Sequence, residues 1–475
     1  MQIPRRKRNL IRKIRAWRAR RRTYKLLKIV GRKEMRKHVS LTWKTGCWKS
    51  VTMAQIVYAH RTKTQRKQNE AILVIDPHGD TYATIKKFDL ALKNPARLVC
   101  IDPSLKEGYT ATINPLEMWS WKLRDIEITT QSLVSVFEEL IPDAKLTNYM
   151  KALLNPCIAT LLSLRTCSIT DLKDFMRTNP PEELLLAGKN SLFAAHRKFF
   201  QEEFMNHSIY WQTKWSIYTK LQSLLNNSWF YNQVIWKSTI NLESCLRSWK
   251  VILINLGALG PDAGEAFWRF IIGQTKAIAM RSLKRAPLRR PRVQIYIDEA
   301  DAVITTSLNG ILKETRKVGL SAFICGQSLP SWRWSEAMKH NLLTNTSVKI
   351  IWTSGQANLQ VLSKETWIKL TELHQVKNYE FRIKSGDKRP RKIRTKDVFR
   401  PRSPLLIDPY ETTALNKFIT ERSWAYKPIL PLHPNPGEEW LDAFPDDLKW
   451  AIENKLHPRP KFGSYPKDNH DNSWS

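Results

Sequence analysis

Glycine is scarce in this chain. Only 16 of its 475 residues are glycine, whereas a globular protein carries about 7%, so the positions that usually need a residue without Cβ are under-supplied. Tryptophan is in surplus at 19 residues, and the two together come to about the glycine content of an ordinary protein. The six cysteines, Cys47, Cys100, Cys157, Cys167, Cys245 and Cys325, form no C-x-x-C pair. That argues against a zinc site or a disulfide framework and fits a reducing cytoplasm. No run of about 18 apolar residues is present, so no transmembrane helix is expected. The N-terminus is basic and lacks the apolar stretch of a secretory signal. Acidic residues are also few: Asp+Glu number 43 against 78 Lys+Arg, a formal charge of +35. An excess of that size points to a polyanionic partner, either nucleic acid or an anionic membrane surface.

The length allows two or three domains. Residues 1–37 form a basic arm in which Arg5-Arg6-Lys7-Arg8 and Arg18-Ala19-Arg20-Arg21-Arg22 are interleaved with Leu10, Ile11, Ile14, Trp17, Leu26 and Leu27. It reads either as an amphipathic basic helix that docks on nucleic acid or lipid headgroups, or as a solvated, partly disordered tail. From His38 short apolar strands alternate with helices, the pattern of a mostly parallel α/β sheet. Strands are expected at 38–41, 71–76, 97–102, 251–256, 293–299 and 320–327, the last near 348–351. Helices are expected at 50–58 and 263–282. Residues 123–245 lack strand signals and show helical spacing at Ile128, Leu133, Val134, Phe137 and Leu140, so an all-helical insertion should divide a motor domain built from 38–122 and 246–398. After about residue 399, Pro401, Pro404, Pro409, Pro428, Pro431, Pro434 and Pro436 mark an irregular, loosely structured tail over 399–475.

The chemistry gathers at the strand ends. Leu41-Thr42-Trp43-Lys44-Thr45-Gly46-Cys47-Trp48-Lys49-Ser50 follows the phosphate-loop pattern G-x-x-x-x-G-K-[ST], with Trp43 and Trp48 standing at both glycine positions. A left-handed backbone costs a side-chain-bearing residue about 1–2 kcal/mol, which is tolerable. An indole burying on the order of 150–250 Å² would also fill the volume of the phosphate itself, which is the larger obstacle. Two readings stand. In one, these tryptophans are UGA codons that the source organism reads as glycine, which makes the loop Gly-Lys-Thr-Gly-Cys-Gly-Lys-Ser. In the other, the protein is truly tryptophan-rich and the loop is dead. Trp249, in the polar turn Arg247-Ser248-Trp249-Lys250 before an apolar strand, stands where a turn glycine is usual. Trp352 closes another apolar run. On the recoding reading, a structure built on the sequence as written should crowd the phosphate pocket with indoles.

The candidate nucleotide-binding residues are Trp43, Lys44, Thr45, Gly46, Cys47, Trp48, Lys49, Ser50 and Val51, with backbone N–H groups cradling ATP at a helix N-terminus. Lys49 would reach the β- and γ-phosphates, and Ser50 would ligate Mg²⁺. The strand over 293–298 ends in Asp298-Glu299, a Walker B pattern. Asp298 would hold Mg²⁺, directly or through water, and Glu299 would polarise the attacking water. Gln327 ends the next strand, where it either senses the γ-phosphate or simply caps the strand. Arg316 lies in Glu314-Thr315-Arg316-Lys317-Val318-Gly319-Leu320, either as a finger acting in a neighbouring subunit's site or as a solvated surface arginine.

The phosphate loop, Asp76-Pro77-His78-Gly79-Asp80, Asp298-Glu299-Ala300, and Arg316-Lys317-Val318-Gly319-Leu320 leading to Gln327-Ser328-Leu329 together resemble the conjugative coupling proteins of type IV secretion, within the FtsK and HerA group of DNA-pumping ATPases. The resemblance covers roughly 38–370. It implies a RecA-like P-loop NTPase, a homo-hexameric ring that hydrolyses ATP to move DNA, with Arg316 as the trans-acting finger and Gln327 as the sensor. It implies that the helical insertion faces the relaxosome or substrate side, with a relaxase or secretion-channel proteins as partners. Relatives usually carry membrane-spanning helices ahead of the motor. Here a basic arm precedes it, so the expectation is a cytoplasmic protein in peripheral contact with the anionic inner face of the membrane. The family pattern also expects small residues at Trp249, Trp268 and Trp352.

Two further readings differ in class. If Trp43 and Trp48 are real, the chain is a non-hydrolysing basic scaffold that binds DNA or assembles with an active paralogue. If the motor works, it serves conjugation or else DNA packaging, chromosome segregation or transfer of protein substrates.

Overall fold

A computed structural model of the chain describes residues 13–24, 36–42, 49–67, 70–106, 108–118, 120, 122–141, 147–164, 167–286, 289–299, 310–313, 315–326, 336–352, 354–377, 380–394, 397–400, 403–421 and 427–428. The core is a mixed sheet of β1 (Val39–Thr42), β2 (Ala71–Asp76), β3 (Leu98–Ile101), β5 (Val251–Asn255), β6 (Val293–Ile297), β7 (Leu320–Gly326), β8 (Val348–Ile351), β9 (Glu380–Ser385) and β10 (Arg391–Arg394). The short strand β4 (Tyr109–Thr110) instead pairs with β11 (Lys427–Pro428). Across the main sheet the order is β10-β9-β8-β1-β7-β6-β2-β5-β3. The seven strands from β8 to β3 run parallel, and β9 and β10 close one edge antiparallel.

The central strands form because they are unbroken β-branched and aliphatic runs. Ala71, Ile72, Leu73, Val74 and Ile75 are all fully buried, as are Val251, Ile252, Leu253 and Ile254, and a parallel strand covered on both faces needs no polar alternation. The helix Pro261–Arg281 buries most of its circumference and lies against the helix Leu123–Leu140. There Phe137 meets Phe270 edge-on at 5.4 Å, and a Cβ on Gly273 would stand 2.7 Å from a Val136 methyl. Between β4 and β5 every described element is a helix, eight in all from Leu123–Leu140 to Leu242–Arg247. Phe175, Phe199, Phe200 and Phe204 pack ring on ring there, with centroids 4.9–5.9 Å apart.

Three expectations change. The strand 348–351 is not the last: β9 and β10 follow it, and their register places Ile350 beside Ile383 and Ile393 beside Phe381. The start of the proline-rich tail is structured. Leu405 is buried and Leu406 bridges to Phe88, and the helix Pro409–Glu421 buries Leu415 and Ile419. The helix after the phosphate loop runs to Lys67 rather than 58. In the basic arm, residues 13–24 are helical. Arg20 ties them down, donating to Asp89 at 2.7 Å and to the Tyr58 hydroxyl at 3.1 Å.

Candidate nucleotide site at the sheet edge

The parallel register brings the C-terminal ends of β1, β6 and β7 to one edge of the sheet. Thr42, the last residue of β1, stands opposite Gly326 of β7 on one side and Ile351 of β8 on the other. Ile297 of β6 stands opposite Ile324 of β7 and Ile75 of β2. The C-terminal ends of β1 and β7 therefore lie at the same edge of the sheet as Asp298 and Glu299, which follow β6. One strand, β7, separates the loop strand from the Asp298 strand.

Trp43, Lys44, Thr45, Gly46, Cys47 and Trp48 lie outside the described residues, and so does the expected crowding of the pocket by indoles. Gln327 and the side chains of Lys49 and Arg316 lie outside them too. Lys49 opens the helix Lys49–Lys67, with Ser50 and Val51 half-buried in its first turn. Arg316 sits in the 3₁₀ turn Thr315–Val318 that leads into β7.

Asp298 is 3% exposed. Its Oδ2 accepts the Thr81 hydroxyl at 2.6 Å, and its Oδ1 accepts the Glu299 backbone N–H at 3.0 Å. The Asp298 N–H donates to the carbonyl of Ile75, which fixes the strand end against β2. Glu299 is half-buried and has φ 50, a left-handed backbone. Such a conformation costs a non-glycine residue roughly 1–3 kcal/mol and occurs preferentially at functional sites.

Beside Asp298, at the end of β2, Asp76 is 1% exposed. Its carboxylate accepts backbone N–H groups of His78 at 3.0 Å and Tyr82 at 2.7 Å. Burial pushes its pKa upward, those backbone donors pull the other way, and the nearby Asp298 charge adds to the rise. The turn closes through Gly79 at φ 88, where a Cβ would also approach Asn255 Oδ1 to 3.0 Å. Asn255 at the end of β5 donates to Asp102 at 3.1 Å and accepts the N–H of Gly257.

Thr81 and Asn255 were not singled out in the sequence, although each had a signal. Asn255 ends an apolar strand on the same edge as Asp76 and Asp298, and Thr81 follows Asp76-Pro77-His78-Gly79-Asp80 directly.

Of the tryptophans flagged by the glycine deficit, Trp249 has φ 53, and Trp367, which the sequence pattern does not single out, has φ 57. Trp367 is the left-handed C-cap of the helix Gln356–Thr366 and is 85% exposed. Trp268 and Trp352 are each 1% exposed within the core, so their packing does not mark them as glycine positions.

Residues 27–273 match the family model described as the central domain of helicase HerA. No protein of curated function matches. Among solved structures, the fold resembles the bacterial conjugative coupling protein TrwBΔN70 in an unbound form, with 14% identity and TM-score 0.56 over 79% of this chain and 89% of that one. It also resembles the plasmid coupling protein TrwB in complex with ADP and Mg²⁺, with 14% identity and TM-score 0.55 over 79% and 90%. At that identity the likeness establishes the fold.

Proposed function

The chain belongs to the family of the helicase HerA central domain, and on that premise we propose that it is an ATP-driven DNA translocase of the conjugative coupling type. What supports this reading is that β1 and β7, which the loop and Gln327 follow in the sequence, end at the same sheet edge as Asp298 and Glu299 after β6, because phosphoryl transfer depends on positioning such groups around one phosphate chain. Lys49 contacts the β- and γ-phosphates, Glu299 orients the attacking water, Gln327 senses the γ-phosphate, and Arg316 reaches a neighbouring subunit's site in a homo-hexamer.

The donors fit Mg²⁺. A hydroxyl from Ser50 and a buried carboxylate from Asp298 are hard oxygen ligands, and Mg²⁺ is usually held by one or two carboxylates with substrate phosphates supplying the rest. When bound, Mg²⁺ neutralises charge on the β- and γ-oxygens.

Trp43 and Trp48 stand for glycine in this reading. Two of the four non-glycine residues with positive φ among the described residues are tryptophans, Trp249 and Trp367, which supports it. DNA is the polyanion that matches the +35 charge, and a relaxase or secretion-channel proteins are the partners the helical segment serves. The basic arm touches the inner membrane face peripherally. No described helix is long and apolar enough to cross a membrane.

The test begins with the codons at 43 and 48. UGG at both removes the recoding and leaves a DNA-binding scaffold. With UGA at both, protein carrying glycine there should hydrolyse ATP with DNA stimulation, and Lys49→Ala should abolish it. Absence of nucleotide binding by the glycine protein contradicts the motor.

A further inference from the structure

The motif Asp76-Pro77-His78-Gly79-Asp80 has no part in the chemistry so far, yet the structure builds a specific turn from it. The Asp76 carboxylate gathers the N–H groups of His78 and Tyr82, and Gly79 turns left-handed to start the short helix Asp80–Lys86. The residue this turn delivers is Thr81. It is fully buried, and its hydroxyl crosses from the end of β2 to the end of β6 to donate to Asp298 Oδ2 at 2.6 Å. That length is typical of a strong hydroxyl–carboxylate hydrogen bond.

We infer that Thr81 is a positioning residue for Asp298, holding the Oδ2 of that carboxylate so that the group presents a fixed face to the nucleotide-bound divalent cation. The inference rests on the proposed role of Asp298 as a Mg²⁺ holder. Asp298 is fixed at three points: its N–H on Ile75, its Oδ1 on the N–H of Glu299, and its Oδ2 on Thr81. The first is a backbone bond to β2, and the second lies within its own strand end. In this set Thr81 is the one side chain from another element, so it couples the β2 turn to the carboxylate that would hold the metal. Partners that orient a metal-holding group from outside its coordination sphere typically change metal affinity by about 10–100-fold when removed.

The test compares Thr81→Val, which keeps the shape and loses the hydroxyl, with Thr81→Ser, which keeps the hydroxyl, both in full-length protein with glycine at 43 and 48. Mn²⁺ binding is titrated by electron paramagnetic resonance in the presence of a non-hydrolysable ATP analogue, and analogue binding is measured separately in EDTA. Thr81→Val should weaken Mn²⁺ binding at least about 10-fold while leaving metal-free nucleotide binding unchanged, and Thr81→Ser should restore it. Parental Mn²⁺ affinity in Thr81→Val overturns the inference. So does equal loss in both variants, since Thr81→Ser keeps the hydroxyl and would then show that the hydroxyl does not carry the effect. If the parent binds the analogue in EDTA but no Mn²⁺, the role of Asp298 falls and this inference with it. If the parent binds no analogue at all, the motor reading itself fails.

Discussion

The Tyr296 hydroxyl lies 2.9 Å from His60 Nδ1 in a fully buried contact that ties β6 to the helix following the phosphate loop. On the far side of the ring, His60 Nε2 is 3.1 Å from Glu70 Oε2, just before β2. With Nε2 carrying the proton toward Glu70, Nδ1 accepts from Tyr296, and both ring nitrogens are satisfied. Tyr296→Phe leaves Nδ1 buried without its donor, which typically costs about 1–3 kcal/mol. Urea unfolding should show a loss of that size. A change under about 0.5 kcal/mol would mean that the bond does not hold the two elements together.

Glu299 follows Asp298 on the sheet edge with a left-handed backbone and a half-buried side chain. As the residue that orients water, it acts after nucleotide is bound. Glu299→Gln should therefore lower the ATPase turnover of the glycine-loop protein by about 10²–10⁴-fold while leaving nucleotide affinity near parental. Equal losses in turnover and affinity would place Glu299 in binding rather than hydrolysis.

Legibility from sequence followed burial. The runs ending at Asp76, Asn255 and Asp298 were readable because strands buried on both faces are continuous apolar segments, and a polar residue at the end marks the functional edge. β10 was missed because Arg391-Lys392-Ile393-Arg394 offers one apolar side chain among three cations, the composition that keeps an edge strand from pairing further. β9 carried a period-two signal in Phe381 and Ile383 that its charged neighbours obscured. The helix Pro409–Glu421 was hidden by proline density, although Pro409 stands at its first position, where the ring is well tolerated. The Thr81–Asp298 contact joins residues 217 apart, and no local pattern encodes such a pairing.

Trp367 tests the reading of tryptophan as glycine without any activity assay. Its indole is 85% exposed, so replacing it forfeits little burial, and its φ of 57 strains a side-chain-bearing residue. Glycine relieves about 1 kcal/mol at a left-handed position, whereas the contact of Lys384 over the ring at 5.3 Å contributes about 0.5 kcal/mol at an exposed site. The backbone term wins, so Trp367→Gly should stabilise the protein by roughly 0.5 kcal/mol in chemical denaturation. The codons at 249 and 367 should be UGA. Destabilisation by Trp367→Gly together with UGG at both positions would count against recoding as the source of the glycine deficit.

Asp125 near the start of the helix Leu123–Leu140 gives the fold an acid-sensitive anchor. Burial by itself raises its pKa, but hydrogen bonds from Ser120 and Lys284, with the charges of Lys284 and Arg281, outweigh that and hold it below the ordinary carboxylate value of 3.8. Lys284 reaches it at 3.1 Å from just beyond the helix Pro261–Arg281, so the pair joins the first helix of the all-helical stretch to the helix that follows β5. A depressed acid pKa favours the folded state above the unfolded value, and that contribution is lost as pH falls through the folded value. Asp125→Asn removes the titration. The variant should therefore be less stable than the parent at neutral pH, and the difference should shrink as pH drops below about 4. Thermal melts at pH 7 and pH 3.5 check it, and a stability gap that stays constant across that range would show that the carboxylate is not ionised and paired as the structure has it.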